Sequence, residues 1–554
     1  MAELTIFTAR RIVTMDPGRP AAEAVAVKDG RIVSVGTLAS MKPWLDRYSH
    51  EIDDSFAGKV LMPGLIDPHT HFGMSGALLE LNYLGPIDSP GPLGINRALP
   101  TRDAVMGKLK ALDAAMPDPD QPLFAWGFDA AIQGGHLDRG DLDRISERRP
   151  IWILAYAPHF VYANSPMITR IGVTDGTNVH GVEKDAKGRL TGRFIEIEAV
   201  QLALQPFRAE VMRPDRGQQT LRALGGAANR AGVTATADLA FGFTDFEQEW
   251  RDHQAVVNDP AFPLRMTLIP IESAIRKHHG ERSAEFLLEL ARQANDRLRF
   301  HGVKFISDGS YPAMSLRLNF PGYLDGSNGL RGEVPWGELA ERMLPFWKAG
   351  VQIHAHANGD ETIDVTLDAL ARLQSQHPRF DHRFTIEHYC ISTTEQARRL
   401  KALGGLASVN NYFVHYRSML HSEQGFGPDR AEATARLGSL EREGVVFALH
   451  SDFSLVVVPL HPLTAAWIAV NRIAADGVTV MAPGERIGVE RALRAITIDA
   501  AHVLRLDRSL GSIEVGKLAD FAVLERDPFE VGAAGLKDIP IWGTVVGGRK
   551  HPAR

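Results

Sequence analysis

The segment Lys59 to Phe72, KVLMPGLIDPHTHF, reads as a buried strand that ends on two histidines. Side chains at i and i+2 of a strand point the same way, so His69 and His71 bring two imidazoles to one point above its carboxyl end. A lone His-x-His also fits two solvated loop histidines. Its weight comes from the other strand-like segments, which end in groups of matching chemistry. HGVKFISDG carries Lys304, GVQIHAHANGD carries His356, RFTIEHYC carries His388 and VVFALHSDF carries Asp452. Imidazole and carboxylate are the ligands of zinc and similar divalent ions.

Lysine is not such a ligand, which makes Lys304 the informative residue. Beside two dications its ammonium is disfavoured by like charge and desolvation, and the neutral amine predominates. A neutral amine adds CO₂, and the carbamate has two anionic oxygens able to bridge a metal pair. The other reading is an ion-pairing or substrate-binding lysine. Two dications sharing a water bring its pKa toward neutrality, which supplies hydroxide for attack on a carbonyl that one of them polarises. Asp452 suits the proton transfers of such an attack.

The elements that must position these groups alternate between apolar strands and amphipathic helices, the pattern of a parallel sheet with crossovers. With the first, strands are expected at 232–239, 263–271, 301–309, 350–360, 383–390, 406–413 and 445–453, eight in all. Eight strands with one helix each make a (β/α)8 TIM barrel of about 250 residues. The centre of this chain is longer, which predicts a barrel over 59–504 with a large insertion at 73–230 and a loop insertion at 310–335. The large insertion has strand-like runs of its own, LFAWGFD and PIWILAY, and a helical run, DAVMGKLKALDAAM. At both ends the texture is short alternating strands, with Asp29-Gly30 and Gly547-Gly548 as turn signals. Residues 1–58 and 505–554 are expected to pair as one composite β-sandwich domain, so the class is α/β with a small β domain.

The series VLMPGLIDPHTH, NSPMITRIGVT, GVKFISDGS, HAHANGDETID, TIEHY and HSDF, running on through GERIGVERALRAITIDAA and GSIEVGKLADFAVL, resembles the amidohydrolase superfamily. Within it, the series is similar to the branch of the N-substituted formamide deformylases. The resemblance runs nearly end to end. It implies that His69, His71 and Asp452 hold the more buried ion of a binuclear centre, that His356 and His388 hold the outer one, and that carboxylated Lys304 bridges them, with zinc the expected element. His354 shares parity with His356 and competes for the place on its strand; His356 matches the branch's His-Ala-x-Gly-Asp pattern. The resemblance also puts His159, in APHFVYANS, at a position where the branch carries a histidine, either against substrate oxygen or as a structural group. Asp308 and Asp360 are either partners that orient ligands or helix caps, and Glu387 is expected to point away from His388 by strand alternation. Where the branch commonly reads Gly-Ser-Asp-x-Pro, this chain reads His450, Ser451, Asp452, Phe453, Ser454, so His450 adds a polar group near the site.

The resulting expectation is a hydrolase of a carbon–nitrogen bond in an amide, an N-formyl or N-acyl amine or a cyclic amide, with an apolar or aromatic substrate arm. One rival is a one-metal deaminase of an aromatic amine, but such members usually replace the strand-four lysine and carry a glutamate shortly after the strand-five histidine, unlike HANGD here. The other is a non-catalytic binding protein on the same scaffold. Of the 554 residues 44% are hydrophobic and 23% charged, and the net charge of −6 offers no basic stripe for nucleic acid. With one cysteine, Cys390, no intrachain disulfide is possible. No signal-peptide pattern or apolar run of about 18 residues is present. A cytoplasmic protein acting on small molecules, with homo-oligomerisation left open, is expected.

Overall fold

The computed structural model describes residues 3–78, 81–91, 94–156, 160–211, 216–243, 245–453 and 458–553. The chain divides into two compact units, Met1–His71 with Arg222–Asp452 and Leu460–Arg554, and Phe72–Leu221 with Phe453–Pro459.

In the first unit, all eight expected strand segments form parallel strands. Leu65–Thr70, Val233–Phe241, Arg265–Pro270 and Leu298–Phe300 make one sheet. Val303–Ile306, Ile353–Ala357, Thr385–His388, Leu406–Val409 and Phe447–Leu449 make another. The expected single closed sheet is therefore two ladders by hydrogen bonding. One cause is a break in the fourth strand at His301-Gly302, where Gly302 has φ 97° and a Cβ would meet the His354 ring at 3.1 Å. A parallel bridge between Ile271 and Lys304 spans the break. The eighth strand is only three residues long, and the link back to the first is the Asp452 N–H donating to the His69 carbonyl at 3.0 Å. Ile66, Ala235, Leu239, Ile269, Leu406 and Ala448 pack in one core with Ala500 and Leu504. Residues 310–334 form turns and bends, with Arg331 in an isolated bridge to Asp308.

Strands from both ends of the chain share one seven-stranded sheet. Its order is Arg549–Pro552, Ile541–Val546, Phe521–Leu524, His50–Pro63, Leu4–Val13, Ala21–Lys28 and Arg31–Gly36. Asp29 and Gly30 both have positive φ, as a type I′ turn requires, and the pairing Lys28 with Arg31 closes that hairpin. Phe7, Val25, Phe56, Leu61, Phe521 and Val545 form its core. Arg265, which opens the third parallel strand, makes a buried bidentate pair with Asp520 at 2.6 and 2.8 Å, and Asp520 also accepts from the Gly547 N–H.

The second unit has its own six-stranded sheet, in the order Val182–Lys184, Leu190–Ile195, Phe160–Ala163, Ile151–Ala155, Leu123–Phe128 and Asn82–Tyr83. Helix Arg102–Ala115 is capped by the Thr101 side chain and packs Val105 and Leu109 against Leu123 and Ile151. Among the described residues, no helix is long and apolar enough to cross a membrane.

Removing one partner of a buried ion pair strands the other charge, at a cost of about 3–5 kcal/mol. Asp520→Ala is therefore expected to lower the chemical denaturation midpoint by a corresponding amount. An unchanged midpoint would show that the Arg265 guanidinium is solvated in the folded protein.

Candidate metal centre

Gly64 admits the first strand, since a Cβ there would lie 1.8 Å from Thr234 Oγ1. Every residue from Leu65 to Thr70 is buried, so the strand delivers His69 and His71 into a desolvated space. Asp67 pins this end by accepting from the His69 and Ser451 N–H groups, and burial raises its pKa to about 7.

The expected groups converge. His71 Nε2 lies 2.8 Å from Asp452 Oδ1, and His69 Nε2 lies 3.4 Å from the same oxygen. Lys304 Nζ is 3.3 Å from His69 Nε2. His388 Nδ1 is 3.7 Å from Asp452 Oδ2, and its Nε2 is 3.0 Å from His356 Nδ1. His159 falls outside the described residues.

Two ligand-type residues reach this space by leaving normal strand geometry. His388 has φ 73° and Asp452 has φ 59°, left-handed conformations that cost a non-glycine residue of order 1–3 kcal/mol and cluster at functional sites. The turn at His388 corrects the alternation argument for Glu387. Glu387 pairs in register with His356, and Lys304 with His354, so these four side chains belong to one face. It is His388 that would point away, had its backbone stayed extended.

Glu387 consequently sits inside the cluster with no exposure. Its carboxylate accepts from Nδ1 of His69 and from Nδ1 of His354, each at 2.7 Å. Burial pushes this carboxyl up, but the His354 hydrogen bond and the Lys304 charge override it and hold the pKa at about 2. An ionised Glu387 fixes the tautomer of His69, leaving a lone pair on Nε2, the atom nearest Lys304 and Asp452. His354 commits its Nδ1 to Glu387 as His69 does and has no hydrogen-bond partner at Nε2, whereas His356 turns Nδ1 toward His388. His356 Nε2 lies 2.8 Å from Asn358 Nδ2 and 3.1 Å from the Gly309 carbonyl oxygen, with Asp308 Oδ1 at 3.4 Å behind. Asp308 itself accepts from the Asn358 and Gly359 N–H groups. Asp360 opens the helix Asp360–Gln376 and accepts from the Asn319 N–H. Cys390 is buried and donates to Asn358 Oδ1.

His450 stacks on His69 with centroids 4.5 Å apart and planes 19° apart, and neither of its ring nitrogens has a hydrogen-bond partner. Burial lowers its pKa to about 4. His69 and His388 are likewise held well below the usual histidine range, first by burial and then by neighbouring cationic groups. Asp452 resists burial because His69 and His71 lower its pKa, and it stays ionised.

A set of imidazoles converging out of solvent beside an ionised carboxylate fits divalent cations. Two trios, His69–His71–Asp452 and His69–His388–His450, each bring their donor atoms within 4.8 Å of one another. The 3.0 Å between His356 Nδ1 and His388 Nε2 is near the spacing of about 3.3 Å between two nitrogens on one tetrahedral ion. Burial lowers the Lys304 pKa to about 8, which leaves an appreciable neutral fraction near pH 7. Sequence pattern missed Glu387 because the residue that broke the alternation was its neighbour.

A model of the amidohydrolase family matches residues 56–550. The chain is 30% identical to Protein LONG AFTER FAR-RED 3 of Arabidopsis thaliana, over 98% of this chain and 91% of that protein. It is 25% identical to the N-substituted formamide deformylase of Arthrobacter pascens, over 99% and 98% of the two chains. The fold is similar to that of an uncharacterized metal-dependent hydrolase from Pyrococcus horikoshii OT3, with TM-score 0.74 and 20% identity over 96% of this chain and 99% of that one.

Partners that orient a ligand histidine typically change metal affinity 10–100-fold. Glu387→Gln keeps the shape but removes the charge that fixes His69, and is expected to weaken zinc binding by about that factor in a chelator competition. Wild-type affinity in this variant would exclude the orienting role.

Proposed function

The chain belongs to the amidohydrolase family and is a hydrolase of carbon–nitrogen bonds, and from that premise we propose that it cleaves an amide, an N-formyl or N-acyl amine or a cyclic amide at the His69–Asp452 cluster. We read the two parallel sheets as arcs of one (β/α)8 barrel, with the cluster at the strands' carboxyl ends, where active sites of that fold lie. The observation that carries the functional reading is the placement of Lys304 Nζ 3.3 Å from His69 Nε2, in a buried site with Asp452 and His388. A lysine in that position suits a binuclear centre better than a mononuclear deaminase.

In this reading His69, His71 and Asp452 would hold one cation and His356 and His388 a second, with Lys304 lying beside His69 to serve both. The Lys304 amine, neutralised in part by burial, would add CO₂ and release a proton to give a carbamate that offers its oxygens to the cations. When bound, the cations supply an acidified water and polarise the scissile carbonyl. Asp452 Oδ1 accepts the proton lost by the attacking water and returns it to the leaving nitrogen, as general base and then acid. Its low pKa keeps it ionised at neutral pH. Glu387 holds the His69 ring through this exchange, and Asp308 backs His356. The likeness to the formamide deformylase supports an N-formyl or N-acyl amine as substrate. We also assign a cytoplasmic location and small-molecule partners.

Lys304→Ala tests the bridge. Metal analysis is expected to show fewer ions per chain, and turnover across a panel of N-formyl, N-acyl and ring amides should fall by about 100-fold or more. Full activity and unchanged metal content would remove the bridging role, while activity confined to aromatic amines would move the chemistry to deamination.

A further inference from the structure

Away from the histidine cluster, at the amino-terminal ends of the third and fourth parallel strands, a cavity of ≈70 Å³ is lined by Arg265, Arg297, Arg299, Asn295, Asp296 and Thr267, with residues from 506–518 along another wall. Three guanidiniums around so small a space need neutralising charge, in a chain whose net charge is −6. Arg265 has it, in Asp520. The other two have no carboxylate in direct contact, and Asp520 and Asp259 act on Arg297 only from a longer range. Asp296 directs its carboxylate to Arg31 at 3.0 Å, and only its backbone carbonyl takes a bond from Arg265.

Arg297 donates from Nε to the Val257 carbonyl at 2.6 Å and from Nη2 to the Phe262 carbonyl. Arg299 donates to the carbonyls of Leu504 at 3.1 Å and Arg505 at 3.4 Å. Val257 and Leu504 stand at the carboxyl ends of helices Phe246–Val257 and Ile498–Val503, whose partial negative charge offsets part of one positive charge each. These bonds use two of the five N–H donors on each guanidinium. Among the described residues, no carboxylate lies within ion-pair distance of either. Burial lowers the pKa of Arg299 to about 10, and the charge acting on it is another cation, Arg505.

We propose that this cavity binds a small oxyanion, a phosphate or carboxylate group, between the guanidiniums of Arg297 and Arg299. Water fills such a space, since about 10–15 Å³ holds one molecule, but water does not neutralise it. A planar fork of N–H donors matches the oxygens of phosphate and carboxylate, and such charge-assisted bonds are the strong ones. The bound anion ties the strand bearing Arg299 to the segment 506–518, so it stabilises the folded protein.

The test is a titration of the metal-loaded full chain with inorganic phosphate and, separately, acetate, at ionic strength fixed with sodium chloride, read by Tm and by phosphorus NMR line width. Phosphate should raise Tm saturably above the chloride control. Arg299→Gln and Arg297→Gln should each need about tenfold more phosphate for the same rise. Arg299→Lys, which keeps the charge and loses the fork, should retain a weakened response and serves if the glutamine variant does not fold. His71→Ala should respond as the wild type does, which separates this cavity from phosphate binding at the metal centre. A response to acetate as well assigns the carboxylate class, and a response to phosphate alone assigns the phosphoryl class. No rise above chloride, an undiminished rise in both glutamine variants, or loss of the rise in His71→Ala would overturn the proposal.

Discussion

A single carboxylate out of reach of solvent, Glu387, sets the geometry of the site. Its two oxygens take up Nδ1 of His69 and of His354, and with that the ring nearest Lys304 has one tautomer and one orientation. An uncompensated charge at this depth would be far too costly to keep. The Nδ1–H groups of His69 and His354 meet it with two hydrogen bonds, so the ionisation of this carboxylate and the direction of the donor atoms are one arrangement. Removing any member changes both.

The same logic extends outward. His356 is backed by the Gly309 carbonyl and by Asp308, which is held by two backbone N–H groups of the segment leading into helix Asp360–Gln376. Asp67 does the same for the first strand through His69 and Ser451. Each donor at the centre therefore leans on a backbone element, and the precision of the cluster comes from ladders and turns and not from side-chain packing alone. His450 is the exception, being positioned by stacking on His69 with both nitrogens left over.

Much of this was legible in the residues. Parity along a strand predicts the joint direction of His69 and His71, and the recurrence of ligand types at strand ends brings Lys304, His356, His388 and Asp452 into the same account. All eight strand segments could be read from apolar runs between turn residues. Glu387 could not, because the parity rule assumes extended backbone throughout, and His388 leaves it at φ 73°. Nothing in the string TIEHY announces a left-handed turn at a histidine; tertiary context imposes it. The break in the fourth strand is of the same kind. Gly302 signals a local departure, but only the His354 ring beside it shows why a side chain there is not tolerated.

The seven-stranded sheet has a temporal side. His50–Pro63 is flanked by Leu4–Val13, made before it, and by Phe521–Leu524, made roughly 460 residues later. At a synthesis rate of about 5–20 residues per second, the edge meant for that last neighbour stands open for roughly 20–90 seconds on the ribosome. An unpaired edge over that interval invites the wrong strand. The stretch that awaits that partner, Val60 to Pro63, is apolar and buried in the finished fold, while exposed Glu51, Asp54 and Ser55 and half-buried Asp53 and Lys59 precede it on the same strand, so the polar residues flank the waiting edge without lining it.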